Sequence, residues 1–165
     1  LREYIKHRLP GLRDSAYDLL LLADEDEQML GRYAELGDML AMYDEEDDTI
    51  VAEAIVVPIE DGVELKNIAV APEYQHHGLG SRLVSAICAQ YSGRVPWIMV
   101  GTGDADFANI SFYEQNGFRE VGRVPDIFAQ YDHPSVVNGL PLRDMVYLRR
   151  ELGPAVDKVS SRNKG

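Results

Sequence analysis

The most constraining feature of the sequence is a short glycine-containing turn between an apolar strand and an amphipathic helix. The strand is predicted over residues 63–71, and the helix over Leu79–Tyr91, where apolar residues recur at helical spacing. The turn contains the run Q-H-H-G-L-G at 75–80. Two glycines allow a tight turn, and successive N–H groups at a helix N-terminus form a cradle for an anion. The turn therefore predicts a phosphate or pyrophosphate site, although an isolated G-x-G is more often a plain helix start.

The turn differs from two better-known phosphate-binding loops. No Gly-Lys-Ser/Thr follows it, which excludes a P-loop. The third glycine of the dinucleotide fingerprint is missing, as is its βαβ setting early in the chain. The ligand class therefore depends on the rest of the chain.

Hydrophobic periodicity divides the 165 residues into one domain over 1–152 and a polar tail over 153–165. The predicted order is β-α-α-β-β-β-α-β-α-β-β, an α/β (α+β) mixed sheet with helices on its faces. The elements are predicted, in chain order, at residues 2–9, 15–22, 29–36, 39–43, 49–57, 63–71, 79–91, 95–100, 105–115, 118–124 and 142–151. The run at 95–100 is continuously apolar, so we expect it to be buried on both faces.

Charge is distributed unevenly along the chain, whose formal net charge is −12. Residues 1–62 hold 17 acidic and 5 basic residues, whereas residues 63–165 hold 11 of each. Such a balance argues against nucleic acid or an anionic membrane surface as a partner, because phosphates require Lys and Arg. A cationic small molecule suits the acidic part, although a solvated acidic face is the commoner explanation.

Other chemistry is poorly supported by the sequence. The single cysteine, Cys88, excludes an internal disulfide and is typical of a reducing compartment, so we expect a cytoplasmic protein in which this residue packs in the core. Neither a charged n-region followed by an apolar h-region nor an apolar run near membrane-spanning length occurs in these 165 residues. The four histidines lack the spacing of metal ligands, so no metal site is expected. No Ser-His-Asp arrangement with a nucleophile elbow occurs.

Two longer motifs carry a family resemblance. The run N-I-A-V-A-P-E-Y-Q-H-H-G-L-G at 67–80 resembles motif A of the GNAT N-acetyltransferases, and F-Y-E-Q-N-G-F at 112–118 resembles motif B of that superfamily. The predicted element order also matches the GNAT acyl-CoA N-acyltransferase fold. The runs G-T-G at 101–103, N-G at 138–139 and R-D-M-V at 143–146 look like an uncharacterised bacterial GNAT subgroup. Asp104 departs from it, since the subgroup tends to have Asn there.

The resemblance implies that acetyl-CoA lies in a cleft where the fourth and fifth strands splay apart, and that no metal takes part. The flexible pantetheine arm would pair with the backbone edge of the fourth strand, and the pyrophosphate would take N–H groups of the turn. Asn109 on the next helix would face the arm, although a plain helix-surface residue is an equally good interpretation. The positions assigned to acetyl-CoA are Ile68, Ala69, Val70, Gln75, His76, His77, Gly78, Leu79, Gly80, Ser81, Asn109 and Phe112.

The resemblance also implies an acid and a base. Tyr113 matches the general acid that protonates the leaving thiolate, since a phenol, with a pKa of about 10, is close in acidity to a thiol, with a pKa of about 8.5. Glu64, eleven residues before Gln75, matches the glutamate base of histone-type members, and Glu53 on the neighbouring strand is the fallback. A solvent-facing Glu64 without a role has equal weight. The oxyanion donor would be the N–H of Ile68 or Ala69.

We therefore expect an acetyl-CoA-dependent N-acetyltransferase that moves acetyl directly to a primary amine of a small molecule or peptide, in a ternary complex. The acceptor is expected to be cationic if the acidic part binds it. A non-catalytic acyl-CoA-binding or sensing domain of the same fold is the alternative, and a metal-dependent hydrolase is a distant third. A homodimer is common in the superfamily, but no residue pattern determines it.

The two histidines of the turn generate a first prediction, since this position is often Arg or Lys in the family. Histidine gains its positive charge as pH falls through about 7.5 to 6. CoA should therefore bind more tightly to the protein at the lower pH, as measured by calorimetric titration. The doubly substituted His76→Gln, His77→Gln variant should lose this dependence. Equal CoA affinity at both pH values would show that the imidazoles point away from the phosphates.

Overall fold

The computed structural model describes residues 2–7, 16–23, 32–33, 36–46, 49–130 and 135–153, with backbone pairing alone for 2–7. In chain order the strands and helices are β1 (Arg2–His7), α1 (Tyr17–Ala23), β2 (Asp38–Tyr43), β3 (Ile50–Ile59), β4 (Gly62–Val70), α2 (Leu79–Tyr91), β5 (Trp97–Gly103), α3 (Phe107–Gln115), β6 (Arg119–Val124), β7 (Val136–Val137), β8 (Leu140–Pro141) and β9 (Met145–Glu151). Short 3₁₀ turns occupy Pro72–Tyr74 and Ile127–Gln130. Within these residues, no helix has the length and apolar content needed to cross a membrane.

Seven strands form one sheet in the order β1-β2-β3-β4-β5-β9-β6. Every neighbouring pair is antiparallel except β4 and β5, which are parallel. Parallel neighbours need a long crossover connection, and α2 supplies it. The pairing of β4 with β5 covers only Val63–Leu65 against Ile98–Val100, so the two strands separate beyond Leu65. The predicted fold class and splayed strands are confirmed.

A β-bulge lies in β4 where it leaves β5. Asn67 lies opposite Ile55 of β3, but Leu65 lies opposite the next residue, Val56, so Lys66 is the extra residue. A bulge bends its strand and increases the local twist. The bend therefore falls at the residue that follows the last pair between β4 and β5.

Apolar side chains pack on both faces of the sheet. On the face covered by α2, which we call the α2 face, the core includes Met42, Leu83, Ile87, Ile98, Phe118 and Leu148. The opposite face, which we call the α1 face, buries a smaller cluster of Ala16, Leu20, Tyr33, Met39 and Ile55. The α1 face is half-buried over β5, where Trp97, Met99 and Gly101 alternate with the fully packed Ile98 and Val100.

Several predicted boundaries need correction. The strand predicted at 95–100 is Trp97–Gly103 and is fully buried on one face only, because its α1-face side chains are half-covered. The helix predicted from residue 105 begins at Phe107, because the Asp106 side chain accepts a hydrogen bond from the Asn109 N–H at 3.2 Å and caps it. The last strand begins at Met145. The β7–β8 hairpin was not predicted, and most of the helix predicted at 29–36, like the tail after residue 153, lies outside the described residues.

One ionisable residue interrupts the apolar interior of the sheet. Glu53 lies in the middle of β3 on the α1 face and is completely buried. Its cross-strand neighbours are Ala41 of β2 and Ala69 of β4, and neither carboxyl oxygen has a hydrogen-bond partner. Burial raises the pKa of Glu53 well above its ordinary value, because the charged form is poorly solvated there. Burial therefore favours the neutral, protonated form of this carboxyl group.

This burial predicts an unusual pH dependence of stability. The folded state binds the Glu53 proton more tightly than the unfolded chain, so stability that is complete below the unfolded pKa is lost as pH rises through the folded pKa. The stability advantage of Glu53→Gln over the parent should grow between about pH 5 and about pH 8, by about 1.4 kcal/mol for each unit by which burial raises the pKa. Urea denaturation at both pH values measures this. Glu60→Gln, an exposed change on the adjoining turn, is the control. A difference in unfolding free energy between Glu53→Gln and the parent that is equal at both pH values would contradict the expectation.

Candidate active site

The splay leaves part of β4 with an unpaired backbone edge. The N–H of Ala71 donates to the carbonyl of Val51 on β3 at 2.8 Å, so residue 71 points its backbone toward β3. Because this direction alternates along an antiparallel strand, Ala69 also points toward β3, whereas Ile68 and Val70 point toward the gap beside β5. Of the two oxyanion donors expected from the sequence, the backbone direction therefore favours Ile68 over Ala69.

The glycine turn joins this edge to α2. The Gln75 side chain donates from Nε2 to the carbonyl of Val70 at 2.9 Å, and its backbone N–H points to the carbonyl of Pro72 at 3.4 Å. The side-chain amide and the backbone N–H of Gln75 thus both stabilise the turn. Among the described residues, none of the N–H groups at 76–81 donates to another backbone group outside α2 itself. These N–H groups are available to an anion.

Two residues of the turn have left-handed backbone angles. His76 has a φ of 66° and Gly78 a φ of 78°, and both are exposed, as is His77. No atom lies within 4 Å of the place where a Cβ on Gly78 would stand, so the backbone there is open to a ligand. Leu79 is buried in the α2-face core, so its N–H faces the turn while its side chain packs. The turn where the sequence predicts an anion cradle is thus exposed and open at its backbone.

The start of α2 and the end of α3 are held together beside the turn. A Cβ on Gly80 would stand 3.2 Å from the ring of Phe112, so this glycine permits the close approach. The Asn116 side chain donates from Nδ2 to Ser81 Oγ at 3.2 Å and to the carbonyl of Phe112 at 2.8 Å. Ser81 therefore joins two helices through its hydroxyl. Sequence reasoning missed Asn116, for which the only signal was its place before a glycine.

Tyr113 of α3 is the one sequence-predicted acid, and it lies in the protein interior. Its exposed fraction is 4%, and its ring makes edge-to-face contacts with Phe112 and Phe118 at centroid distances of 5.2 and 5.5 Å. Burial raises the pKa of Tyr113, and the negative charge of Asp106 raises it further. The phenol therefore keeps its proton at neutral pH. Asn109, on the first turn of the same helix, is exposed.

Glu64 lies on the α1 face at the foot of the splay. It stands opposite Met99 in the short paired segment and forms an ion pair with Lys66, with Nζ 3.3 Å from Oε2. The Lys66 ammonium also lies 5.3 Å from the ring centroid of Tyr33. Burial, followed by the charge of Glu64, raises the pKa of Tyr147 on β9. A carboxylate, an ammonium and two tyrosines thus line this half-buried part of the sheet.

Glycine and aspartate shape the far end of the same region. Gly101 lies opposite Tyr147, and a Cβ there would stand 2.9 Å from the tyrosine ring, so the glycine lets the ring lie against β5. Asp104, the residue that departs from the subgroup pattern, accepts a hydrogen bond from the Arg143 N–H at 3.0 Å. That bond lowers the pKa of Asp104. Asp104 therefore fastens the end of β5 to the segment before β9.

The remaining candidates have structural surroundings. Cys88 is buried in α2, and burial raises the pKa of its thiol, so the predicted core packing is confirmed. Within the part of the chain that the structure describes, no three His, Cys, Asp or Glu side chains converge as metal ligands.

Comparison with known proteins agrees with the geometry. A family model described as Acetyltransferase (GNAT) domain matches residues 37–120. An uncharacterized N-acetyltransferase of Bacillus subtilis, YvbK, is 33% identical over 141 residues, which cover 84% of this chain and 90% of that protein. The [ribosomal protein bS18]-alanine N-acetyltransferase of Salmonella typhimurium is 32% identical over 101 residues, 58% of this chain and 67% of the relative.

A solved structure extends the similarity to the cosubstrate. The crystal structure of a GNAT family acetyltransferase from Elizabethkingia anophelis with acetyl-CoA bound has a TM-score of 0.81 and 28% identity. The match covers 91% of this chain and 98% of that one. Acetyl-CoA is the cosubstrate indicated by these relatives, and the unpaired edge of β4 and the free N–H groups of the turn suit it. The chain belongs to the GNAT acetyltransferase family, as its two motifs predicted.

Proposed function

We propose that the chain is an N-acetyltransferase that moves the acetyl group of acetyl-CoA directly to a primary amine of a small molecule or peptide. The observation that carries this proposal is the buried phenol of Tyr113 on α3, the helix that Asn116 ties to the cofactor turn through Ser81. A domain that only binds acyl-CoA would need the edge and the turn but no acid. The transfer occurs in a ternary complex, without an acyl-enzyme.

Acetyl-CoA supplies an activated thioester, and the chain holds it by its backbone. The N–H groups of His76 to Ser81 bind the pyrophosphate at the N-terminus of α2. The edge of Ile68 and Val70 hydrogen-bonds the amides of the pantetheine arm as an added strand does. Phe112 and Asn109 line the other wall of the cleft from α3. The Ile68 N–H, which points into the gap, stabilises the oxyanion that forms on the carbonyl.

Tyr113 acts as the general acid and Glu64 as the general base. The raised pKa keeps Tyr113 protonated until the thiolate leaves, and the thiolate then takes its proton. Glu64 lies at the foot of the splay with its carboxylate beside the Lys66 ammonium. An acceptor ammonium has the same charge as Lys66, pairs with Glu64 in its place, and loses its first proton there.

The acceptor is a cationic amine. An alkylammonium suits the carboxylate of Glu64 and the acidic composition of residues 1–62. The relative from Salmonella is named for acting on an alanine of a ribosomal protein, which supports a peptide amine as well as a small molecule. The buried, reduced Cys88 is in keeping with the reducing cytoplasm.

A screen for CoA thiol release tests the reaction. Polyamines, aminoglycosides, amino acids and peptides with free N-termini are each offered with acetyl-CoA. We expect release with cationic amines in preference to neutral or anionic ones. Glu64→Gln should lower kcat/KM by about 100-fold or more, and high pH should restore part of it because the amine then arrives deprotonated. CoA binding without release by any amine would favour the sensing role.

Substitution of the acid gives a second test. Tyr113→Phe removes one hydroxyl from a packed ring, so folding and CoA affinity should change little. kcat should fall by about 100-fold or more, because the thiolate leaves unprotonated. Rapid-mixing kinetics and a CoA titration measure the two quantities, with Tyr91→Phe, a buried tyrosine of α2, as the matched tyrosine change outside the site. Full kcat at neutral pH in Tyr113→Phe would refute the assignment.

A further inference from the structure

One lysine ammonium of the chain already occupies the place proposed for the acceptor. Lys66 Nζ lies 3.3 Å from Oε2 of Glu64 and 5.3 Å from the ring centroid of Tyr33. A carboxylate and the face of an aromatic ring are groups that bind an alkylammonium. Lys66 is the only lysine whose side chain lies within the described residues. The ammonium that meets the proposed base in this structure therefore belongs to the protein itself.

The backbone of β4 brings this lysine and the carboxylate together. Glu64 and Lys66 are two residues apart on one strand, so their side chains share the α1 face. Lys66 is the extra residue of the bulge and has no residue opposite it on β3. The exposed fraction of the side chain is 34% for Lys66 and 14% for Glu64. An ion pair this open to solvent adds little to stability, so packing alone does not account for a lysine here.

Lys66 also lies close to the gap where the thioester is placed by the proposed function. Ile68, whose N–H points into the gap, is two residues further along β4, and a rise of about 3.3 Å per residue puts the two Cα atoms about 7 Å apart. The four-carbon stem of a lysine covers this span. Packed side chains fill the α2 face of the gap, whereas the α1 face is only half-covered over β5. A nitrogen nucleophile therefore reaches the gap from the face on which Lys66 lies.

We propose that Lys66 is an internal acceptor, whose Nζ the chain acetylates with its own bound acetyl-CoA. This modification site rests on the proposed function, because Glu64 is the base and the bound thioester is the donor. A nucleophile that is part of the chain needs no second binding step, which favours the transfer even in the absence of another amine. Acetylation removes the positive charge of Lys66 and so ends its ion pair with Glu64.

The step balances in atoms and charge. The Lys66 ammonium gives one proton to the Glu64 carboxylate, which passes it to solvent. The Nζ lone pair forms the bond to the carbonyl carbon, and the C–S bond breaks with its electron pair on sulfur. The sulfur takes the proton of Tyr113, and the second proton lost from Nζ replaces it. The products are one acetyllysine, one CoA thiol and one released proton, and the amide nitrogen does not react again.

Mass spectrometry of the full chain incubated with acetyl-CoA alone at neutral pH tests the proposal. We expect the mass to rise by one acetyl group per chain and then to stay constant, and peptide mapping should place that group on Lys66. The other three lysines, Lys6, Lys158 and Lys164, are internal references. Lys66 should react faster than each of them by about 100-fold or more, because it has a base and a bound donor beside it. Equal rates at all four lysines would mean uncatalysed acetylation and would overturn the proposal.

Three variants separate the chemistry from folding, with CoA affinity as the common check. Lys66→Arg keeps a positive charge beside Glu64 but offers a guanidinium that is not deprotonated, so the rapid acetylation should vanish. Glu64→Gln keeps the lysine and removes the base, so acetylation of Lys66 should slow by about 100-fold or more. Glu60→Gln removes an exposed carboxylate on the adjoining turn and should react at the parent rate. Parent-rate acetylation of Lys66 in Glu64→Gln would refute the role of the ion pair.

The dependence on protein concentration shows whether the acceptor is internal. The first-order rate constant for Lys66 should be the same over a tenfold range of protein concentration, and one that rises with concentration would mean that one copy acetylates another, contrary to the proposal. An unmodified Lys66 in a protein that releases CoA thiol with added amines would overturn this inference and leave the proposed function intact. If neither Lys66 nor any amine is acetylated while CoA binds, both proposals fail together.

Discussion

The separation of β4 from β5 is the physical constraint on which the rest of the site depends. Three residue pairs hold the strands together, and the bulge at Lys66 then bends β4 away. Backbone groups inside a sheet must be paired, so the edge groups of Ile68 and the N–H of Val70 remain accessible only because the gap opens there, while Gln75 takes the Val70 carbonyl. The α2 crossover follows directly, which brings the anion cradle to the end of the same edge.

The two faces of the splayed sheet differ in packing and in access to solvent. On the α2 face, packed helices surround Tyr113 and keep its phenol protonated by excluding water. On the α1 face, packing is complete over β3 but only half-complete over β5, so Glu64 and Tyr147 line an open region while Glu53 is buried. Burial without a partner raises the pKa of the Glu53 carboxyl group, whereas Glu64 on the neighbouring strand is half-buried with an ammonium beside it.

Local sequence rules predicted the elements well where the signal is local. The turn at 75–80, helix α2 and the order of the sheet follow from glycine placement and hydrophobic periodicity. The rules missed one local cap, since α3 begins at Phe107 where Asp106 caps it. They failed where a boundary depends on a distant contact: β9 begins late because residues 143 and 144 bond to Asp104 and Asp126. Asn116 escaped notice for the same reason, since its partner Ser81 is 35 residues away.

By itself the sequence determined the family and the cosubstrate, because the two motifs are short runs whose backbone and side-chain chemistry is local. Tertiary structure alone decided which backbone N–H faces the cleft and that Glu53 is buried without a partner. These facts depend on strand register and on burial. Both arise from contacts between residues far apart in the chain, and a carboxyl group's protonation follows from them rather than from its neighbours in sequence.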